Sequence, residues 1–281
     1  MSELNVWFRK KLRIPENKQI TFEDLHDILE KTATAFPFEN FRVLSNQFGM
    51  ITKDYLRHKI LVKNEGGLCY ELNPLLYFFL LDNGFNAKLI RGEVFDNDSG
   101  EWKDLGRTHI AIILQENDRD YLVDTGFGGN LPLMPVPLNN ETISSRNGEF
   151  RVRPMESDYG DSVLDMKLKY KDTKWKIGYA FDPSRPIENM HELNDVQEII
   201  VKHEQSPFNK TPLITRMTAE GNITLSPTSV TQWVNGKLEK EQIDYPTFKL
   251  LAYHFFGVDT SNLPGNSGIT NWVSSRWKMM K

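Results

Sequence analysis

The chain has 281 residues, 39% of them hydrophobic and 26% charged, with a formal net charge of −4. This is the balance of an ordinary globular protein; it offers no basic field for a phosphate backbone, so nucleic acid is not an expected partner, and the length favours two or three compact units over one core. A single cysteine, Cys69, excludes an internal disulfide and a cysteine-rich zinc site.

Charges at Arg9, Lys10, Lys11 and Arg13 leave no room for a signal-peptide core. A first helix is signalled by Thr21 as N-cap, Asp24 three residues on, and apolar Leu25, Ile28 and Leu29. Pro37 in FPFENF breaks that pattern, a further helical segment spans Asp54 to Leu61, and Gly66 and Gly67 punctuate it. A helix then starts at Tyr70 or Glu71, with Pro74 in its first turn, where a missing N–H is tolerated. Its apolar run, Leu72 to Leu81, is too short to cross a bilayer, so a cytoplasmic protein without a membrane partner is expected.

After Gly84 the pattern changes to short alternating runs: AKLIRGEVF, THIAIIL, YLVDTGF and MKLKYKDTKWKIGYAF. They predict an antiparallel sheet or small barrel. Pro183 to Pro186 close this unit, and IENMHELNDVQEIIVKH carries Met190, Leu193, Val196, Ile199 and Ile200 at helical spacing. Strands return at PLITRMT and NITLS, and YPTFKLLAYHFF reads as a late helix, so the last third is mixed α/β.

The chemistry centres on GGLCYELN. A lone cysteine is more often packed than reactive, but Cys69 falls at a predicted helix N-terminus, where free amides and the helix dipole favour a thiolate. His109 opens THIAIIL and Asp124 lies in YLVDTGFGG, on the two arms of a predicted hairpin. A turn centred on Glu116 and Asn117 sets the two directly opposite; a turn centred on Asn117 and Asp118 makes them diagonal neighbours on one face. Both registers let the carboxylate reach the imidazole, giving the nucleophile, base and orienter of covalent catalysis. The blander alternative is that Asp124 starts a turn at Thr125 and Gly126 while His109 is an edge residue. His26, His58, His191 and His203 lie on polar helical segments and read as surface residues, and His254, in an aromatic run, reads as packed. None has metal-ligand spacing, so no metal is expected.

GGLCYELN, PFENF at Pro37 to Phe41, THIAIIL and VDTGFGG, followed by SPF at Ser206 to Phe208, together resemble the arylamine N-acetyltransferases in order and separation. The resemblance implies an α+β fold of an N-terminal helical bundle (1–84), a central antiparallel β-barrel (85–183), a linking helix (184–206) and a C-terminal α/β lid (207–281), around a cysteine-protease-like core. It implies Cys69, His109 and Asp124 as the triad, and acetyl-coenzyme A as co-substrate. The acetyl group would pass by ping-pong to small aromatic amines, hydrazines or N-hydroxyarylamines. It further implies Phe38 and Phe127 as aromatic walls of the acceptor pocket, and Gly126, Gly128 and Gly129 along the coenzyme A approach. One position departs from the family pattern: Glu65 stands where Arg usually precedes the Gly-Gly, with Lys63 as a candidate compensating charge. A thiol hydrolase with the same triad, and a non-catalytic ligand-binding homologue suggested by Glu65, are the alternatives.

Overall fold

A computed structural model describes residues 1–263; the remainder of the expected 207–281 unit, residues 264–281, lies outside the described residues. Helices α1 (Glu3–Leu12), α2 (Leu25–Ala35), α3 (Phe41–Leu44), α4 (Lys53–Leu56) and α5 (Cys69–Asp82) form the first part of the chain, with a two-residue strand β1 (Phe38–Glu39) after α2. The Thr21 signal is used: its amide donates to Asp24, and a short 3₁₀ turn, Phe22–Asp24, leads into α2. The segment expected around Asp54 to Leu61 is α4 followed by a wider π-helical stretch, Arg57–Val62.

The central part is antiparallel: β2 (Asn86–Asp96), β3 (Glu101–Trp102), β4 (His109–Glu116), β5 (Arg119–Val123), β6 (Val136–Pro137), β7 (Ile143–Ser145), β8 (Gly148–Ser157), β9 (Gly160–Leu168) and β10 (Lys176–Pro186). Eight of these run in the order β6-β5-β4-β2-β10-β9-β8-β7, with β3 paired to β2. The sheet curls until Asn140, just after β6, donates its amide to Val152 on β8 at 3.0 Å, so the barrel is nearly closed. Strand β4 shows why its sequence is apolar throughout. Its alternate residues serve two cores: Ile110, Ile112 and Leu114 pack against the helices, and Ala111 and Ile113 face the barrel interior with Leu122, Phe150, Leu164 and Phe181.

Helix α6 (His191–Lys202) lays Leu193, Val196 and Ile200 on the helical core. The C-terminal part is the meander β11 (Ile214–Thr218), β12 (Gly221–Ser226), β13 (Ser229–Val234) and β14 (Lys237–Gln242), covered by α7 (Tyr245–Phe256). Its sheet order is β1-β11-β12-β13-β14. The break at Pro37 is therefore also a strand, through which FPFENF adds to the C-terminal sheet, pairing Phe38 with Thr215 and Glu39 with Ile214. Asn40 reinforces the join, donating to the Phe208 and Thr211 carbonyls and accepting from the Leu213 amide.

Two sequence expectations need correction. Helix α5 begins at Cys69, one or two residues earlier than expected, so Pro74 lies inside the helix and not in its first turn. There it deprives the Tyr70 carbonyl of its helical donor. His254 is exposed, its ring 5.1 Å from that of Phe255, because the core-facing positions of α7 include Phe248, Leu251, Ala252 and Phe256.

The Gly-Gly pair is a close-approach site. Gly67 exchanges backbone hydrogen bonds with the β1 segment, its amide donating to Pro37 and its carbonyl accepting from Glu39. A Cβ on Gly66 would lie 2.1 Å from the Pro37 carbonyl oxygen. Gly66→Ala should therefore lower stability by about 1–3 kcal/mol, read from the midpoint of denaturant unfolding; an unchanged midpoint would contradict this packing.

Candidate active site

Four elements converge on one buried carboxylate. The β4–β5 hairpin turns through Asn117 and Asp118, both at positive φ (49° and 58°), as a two-residue loop of this kind requires. Of the two registers, the diagonal one holds: Glu116 pairs with Arg119 and Ile112 with Val123. His109 and Asp124 consequently share the barrel-side face, with His109 Nε2 2.7 Å from Asp124 Oδ2. Asp124 lies one residue beyond the end of β5 and bends back on itself, Oδ1 accepting from the Gly126 amide at 2.8 Å. The turn of the blander reading is thus present, and it coexists with the His–Asp pair.

Cys69 is the first residue of α5. Its Sγ reaches the Thr108 carbonyl at 3.5 Å, one residue before His109, and Cys69 and His109 border the same cavity, close enough for the cysteine to help raise the His109 pKa. The nucleophile candidate, the imidazole and the carboxylate therefore stand in sequence, all buried. Gly126 lets the loop after Asp124 close over the cysteine: a Cβ there would lie 2.7 Å from Cys69 Cα. Gly128 serves differently: its φ is 62°, and a Cβ there would meet Phe38 and Thr215 at an ordinary contact distance of 3.8 Å.

Two residues outside the sequence-derived set complete Asp124. Tyr179 donates its hydroxyl to Oδ2 at 2.9 Å, and Asn73 donates its amide to Oδ1 at 2.9 Å. Asn73 had a signal in GGLCYELN, because it lies one helical turn beyond Cys69 on the same face. Tyr179 had none. It is aimed by an irregularity in β10, where the register to β9 shifts between Ile177 and Tyr179, and no spacing in the sequence reports such a bulge.

These contacts set the charges. Burial lowers the His109 pKa, but the Asp124 carboxylate outweighs it, and with the cysteine contact the ring is pushed up to about 10. Burial pushes Asp124 up, but His109, Asn73 and the Gly126 amide outweigh it and hold the carboxyl below its usual range. Tyr179 is raised well above its usual value by burial and by Asp124, so it remains a donor.

The cavity above the triad is about 450 Å³ and is lined by Cys69, His109, Phe38, Phe127 and Gly126 together with Phe208 from the C-terminal side. Phe127 packs on the His109 and Tyr179 rings at 4.9 and 5.2 Å between centroids, and Phe38 meets Phe208 edge-on at 5.6 Å. Gly128 and Gly129 also border it. Glu65 points away from this space: its carboxylate makes a two-pronged bond to Arg42, Nε–Oε2 2.5 Å and Nη2–Oε1 2.8 Å. Arg42, and not the exposed Lys63, is the compensating charge. Among the described residues no three His, Cys, Asp or Glu side chains group as a metal site, and no helix is long and apolar enough to cross a membrane.

A family model described as N-acetyltransferase matches residues 21–262. The chain belongs to the arylamine N-acetyltransferase family. It is thus a member of an acyltransferase family, and its architecture is the family's. An uncharacterized acetyltransferase of Bacillus subtilis, YvcN, is 42% identical over 242 residues, covering 85% of this chain and 93% of the relative. A probable arylamine N-acetyltransferase of Dictyostelium discoideum is 28% identical over 94% of both chains. The crystal structure of the NAT3 arylamine N-acetyltransferase of Bacillus cereus superposes with a TM-score of 0.87 at 39% identity, covering 92% of this chain and all of that one. That enzyme is described as having a Cys-His-Glu triad; the chain described here has Asp124 against its histidine.

Two outcomes test this electrostatic arrangement. Because the folded His109 value is raised, its stabilising contribution is complete below about 6.5 and is lost as pH rises through about 10. The ring should give imidazolium NMR shifts at pH 8; titration near 6.5 would contradict the pairing. Tyr179→Phe, which removes one donor from a buried carboxylate, should cost about 1–3 kcal/mol in unfolding free energy, and an unchanged denaturation curve would show the hydroxyl to be idle.

Proposed function

We propose that the protein transfers an acetyl group from acetyl-coenzyme A to arylamines, arylhydrazines or N-hydroxyarylamines through a thioester on Cys69. The observation that carries this reading is that buried Cys69 and His109 border one aromatic-walled cavity while His109 Nε2 lies 2.7 Å from the Asp124 carboxylate.

In the first half-reaction His109 already holds the proton, as its raised pKa requires, and Cys69 Sγ attacks the acetyl carbonyl as the thiolate beside it. The carbon–sulfur bond to coenzyme A breaks, and the leaving thiolate receives that proton from His109. In the second, the amine nitrogen attacks the thioester carbonyl and gives its proton to His109, and Cys69 leaves as the thiolate, restoring the thiolate beside the imidazolium. Asp124 holds the imidazole by one nitrogen, so the other faces Cys69 in both steps. Of the amides near the sulfur, that of Leu68 is taken by Glu71 and that of Gly126 by Asp124. This leaves the Cys69 and Tyr70 amides, at the positive end of α5, as oxyanion donors.

Phe38 and Phe127 are the walls on which a flat aromatic acceptor stacks. Gly126 and Gly128 keep the route to the sulfur free of side chains for the coenzyme A arm. The reading as an inert homologue rested on Glu65, and its pairing with Arg42 supports the catalytic reading instead.

Incubation with acetyl-coenzyme A alone should add one acetyl unit to the intact mass, and Cys69→Ala should abolish the addition. Wild-type protein that gains no acetyl unit, or a Cys69→Ala protein that still gains one, would overturn the proposal.

A further inference from the structure

A second buried charge cluster lies against the first turn of α5, two residues from Cys69, and the triad does not use it. Lys59, in the π-helical stretch before the Gly-Gly pair, is only 2% exposed. Its ammonium lies 2.6 Å from Glu71 Oε1 and 3.8 Å from Glu39 Oε1. Both carboxylates are also buried. Glu71, the third residue of α5, accepts the Tyr55 hydroxyl on the same Oε1 at 3.3 Å and the Leu68 amide on Oε2 at 3.1 Å. Glu39 accepts the Phe41 amide at 2.5 Å.

The two carboxylates come from the two walls of the site. Glu71 caps the helix that begins at Cys69, and Glu39 follows Phe38 in β1. The backbones of these segments already touch, through Glu39 N to Gly67 O and Gly67 N to Pro37 O. One ammonium bridges two carboxylates that would otherwise repel, at the point where the two segments meet. Burial lowers the Lys59 pKa, but Glu71 and Glu39 outweigh it and keep the ammonium charged, while burial pushes Glu39 up.

We propose that Lys59 is a positioning residue for the nucleophile: by holding Glu71 against the Leu68 amide and drawing Glu39 to the same point, it fixes the start of α5 relative to Phe38. The inference rests on the assignment of Cys69 as nucleophile. It also accounts for Glu65. The position before the Gly-Gly pair need not carry a cation, because Lys59 supplies one to the buried carboxylates from inside while Arg42 neutralises Glu65 from outside. A buried lysine with two acidic partners is costly to assemble and more costly to break, since removing it strands a charged carboxylate.

Rates of Cys69 alkylation by iodoacetamide and of its acetylation by acetyl-coenzyme A, measured on four proteins, separate positioning from plain structural support. Displacement of a reacting group by about 1 Å costs on the order of a hundred-fold, and Lys59→Met should lose about that much in acetylation rate, with alkylation falling as well. Lys59→Arg should keep most of the wild-type rate. The double variant Lys59→Met/Glu71→Met replaces the pair by apolar side chains; its melting temperature should recover toward wild type while its acetylation rate stays low, because the Leu68 amide has lost its acceptor. This variant carries the comparison if Lys59→Met does not fold. Recovery of the rate along with the melting temperature, or a wild-type rate in folded Lys59→Met, would overturn the proposal. A wild-type protein that alkylates at Cys69 but is never acetylated would instead overturn the acetyltransferase reading, and the alkylation series would still decide the role of Lys59.

Discussion

Burying a carboxylate without partners costs several kcal/mol, and Asp124 is buried where the barrel meets the helix that begins at Cys69. It is made tolerable by four donors: His109 from β4, Tyr179 from β10, Asn73 from α5, and the amide of Gly126 in its own loop. Each donor fixes a different element. The helix that begins with Cys69, the barrel strand with the imidazole, and the loop that closes over the sulfur are registered to one another because each must bring a hydrogen to the same two oxygens. The constraint that stabilises the buried charge thereby also sets the thiol, the imidazole and the carboxylate beside one another.

A second carboxylate, Glu71, performs the matching task on the far side of Cys69. It is satisfied by Lys59, Tyr55 and the Leu68 amide, so α5 is held at its first turn by one acid and at its second turn, through Asn73, by another. Around this double attachment the backbone runs close. Gly66, Gly67 and Gly126 would each place a Cβ within 3 Å of a neighbouring segment. The glycines in the motifs are therefore packing requirements as much as turn formers, and the cavity occupies the space that remains between Cys69, the two phenylalanines and the C-terminal sheet.

The sequence was most legible where periodicity or local chemistry carries the signal. The helical beginning, the antiparallel middle, α6 and α7 all follow from spacing, and the His109–Asp124 pair follows from hairpin geometry once two registers are allowed. It was least legible where a long-range contact decides. The strand at Phe38 and Glu39 exists because β11 lies beside it, 170-odd residues later in the chain; Pro37 looked only like a break. Tyr179 depends on a bulge. Glu65 looked hazardous to the thiolate because its partner, Arg42, is distant in sequence and adjacent in space. Pro74 was misplaced by a small error in where α5 begins, an uncertainty expected of any helix boundary read without its capping contacts.

The central claim is that Asp124 organises His109 for chemistry at Cys69 and is more than a packed ionic pair. The most direct measurement is single-turnover release of free coenzyme A from acetyl-coenzyme A, without acceptor, by Asp124→Asn protein whose folding has been verified. The asparagine preserves shape while confronting His109 and Tyr179 with a donor in place of an acceptor, and by analogy with other nucleophile–histidine–carboxylate sites the release rate should fall by about 10³- to 10⁴-fold. Release at the wild-type rate would contradict the account.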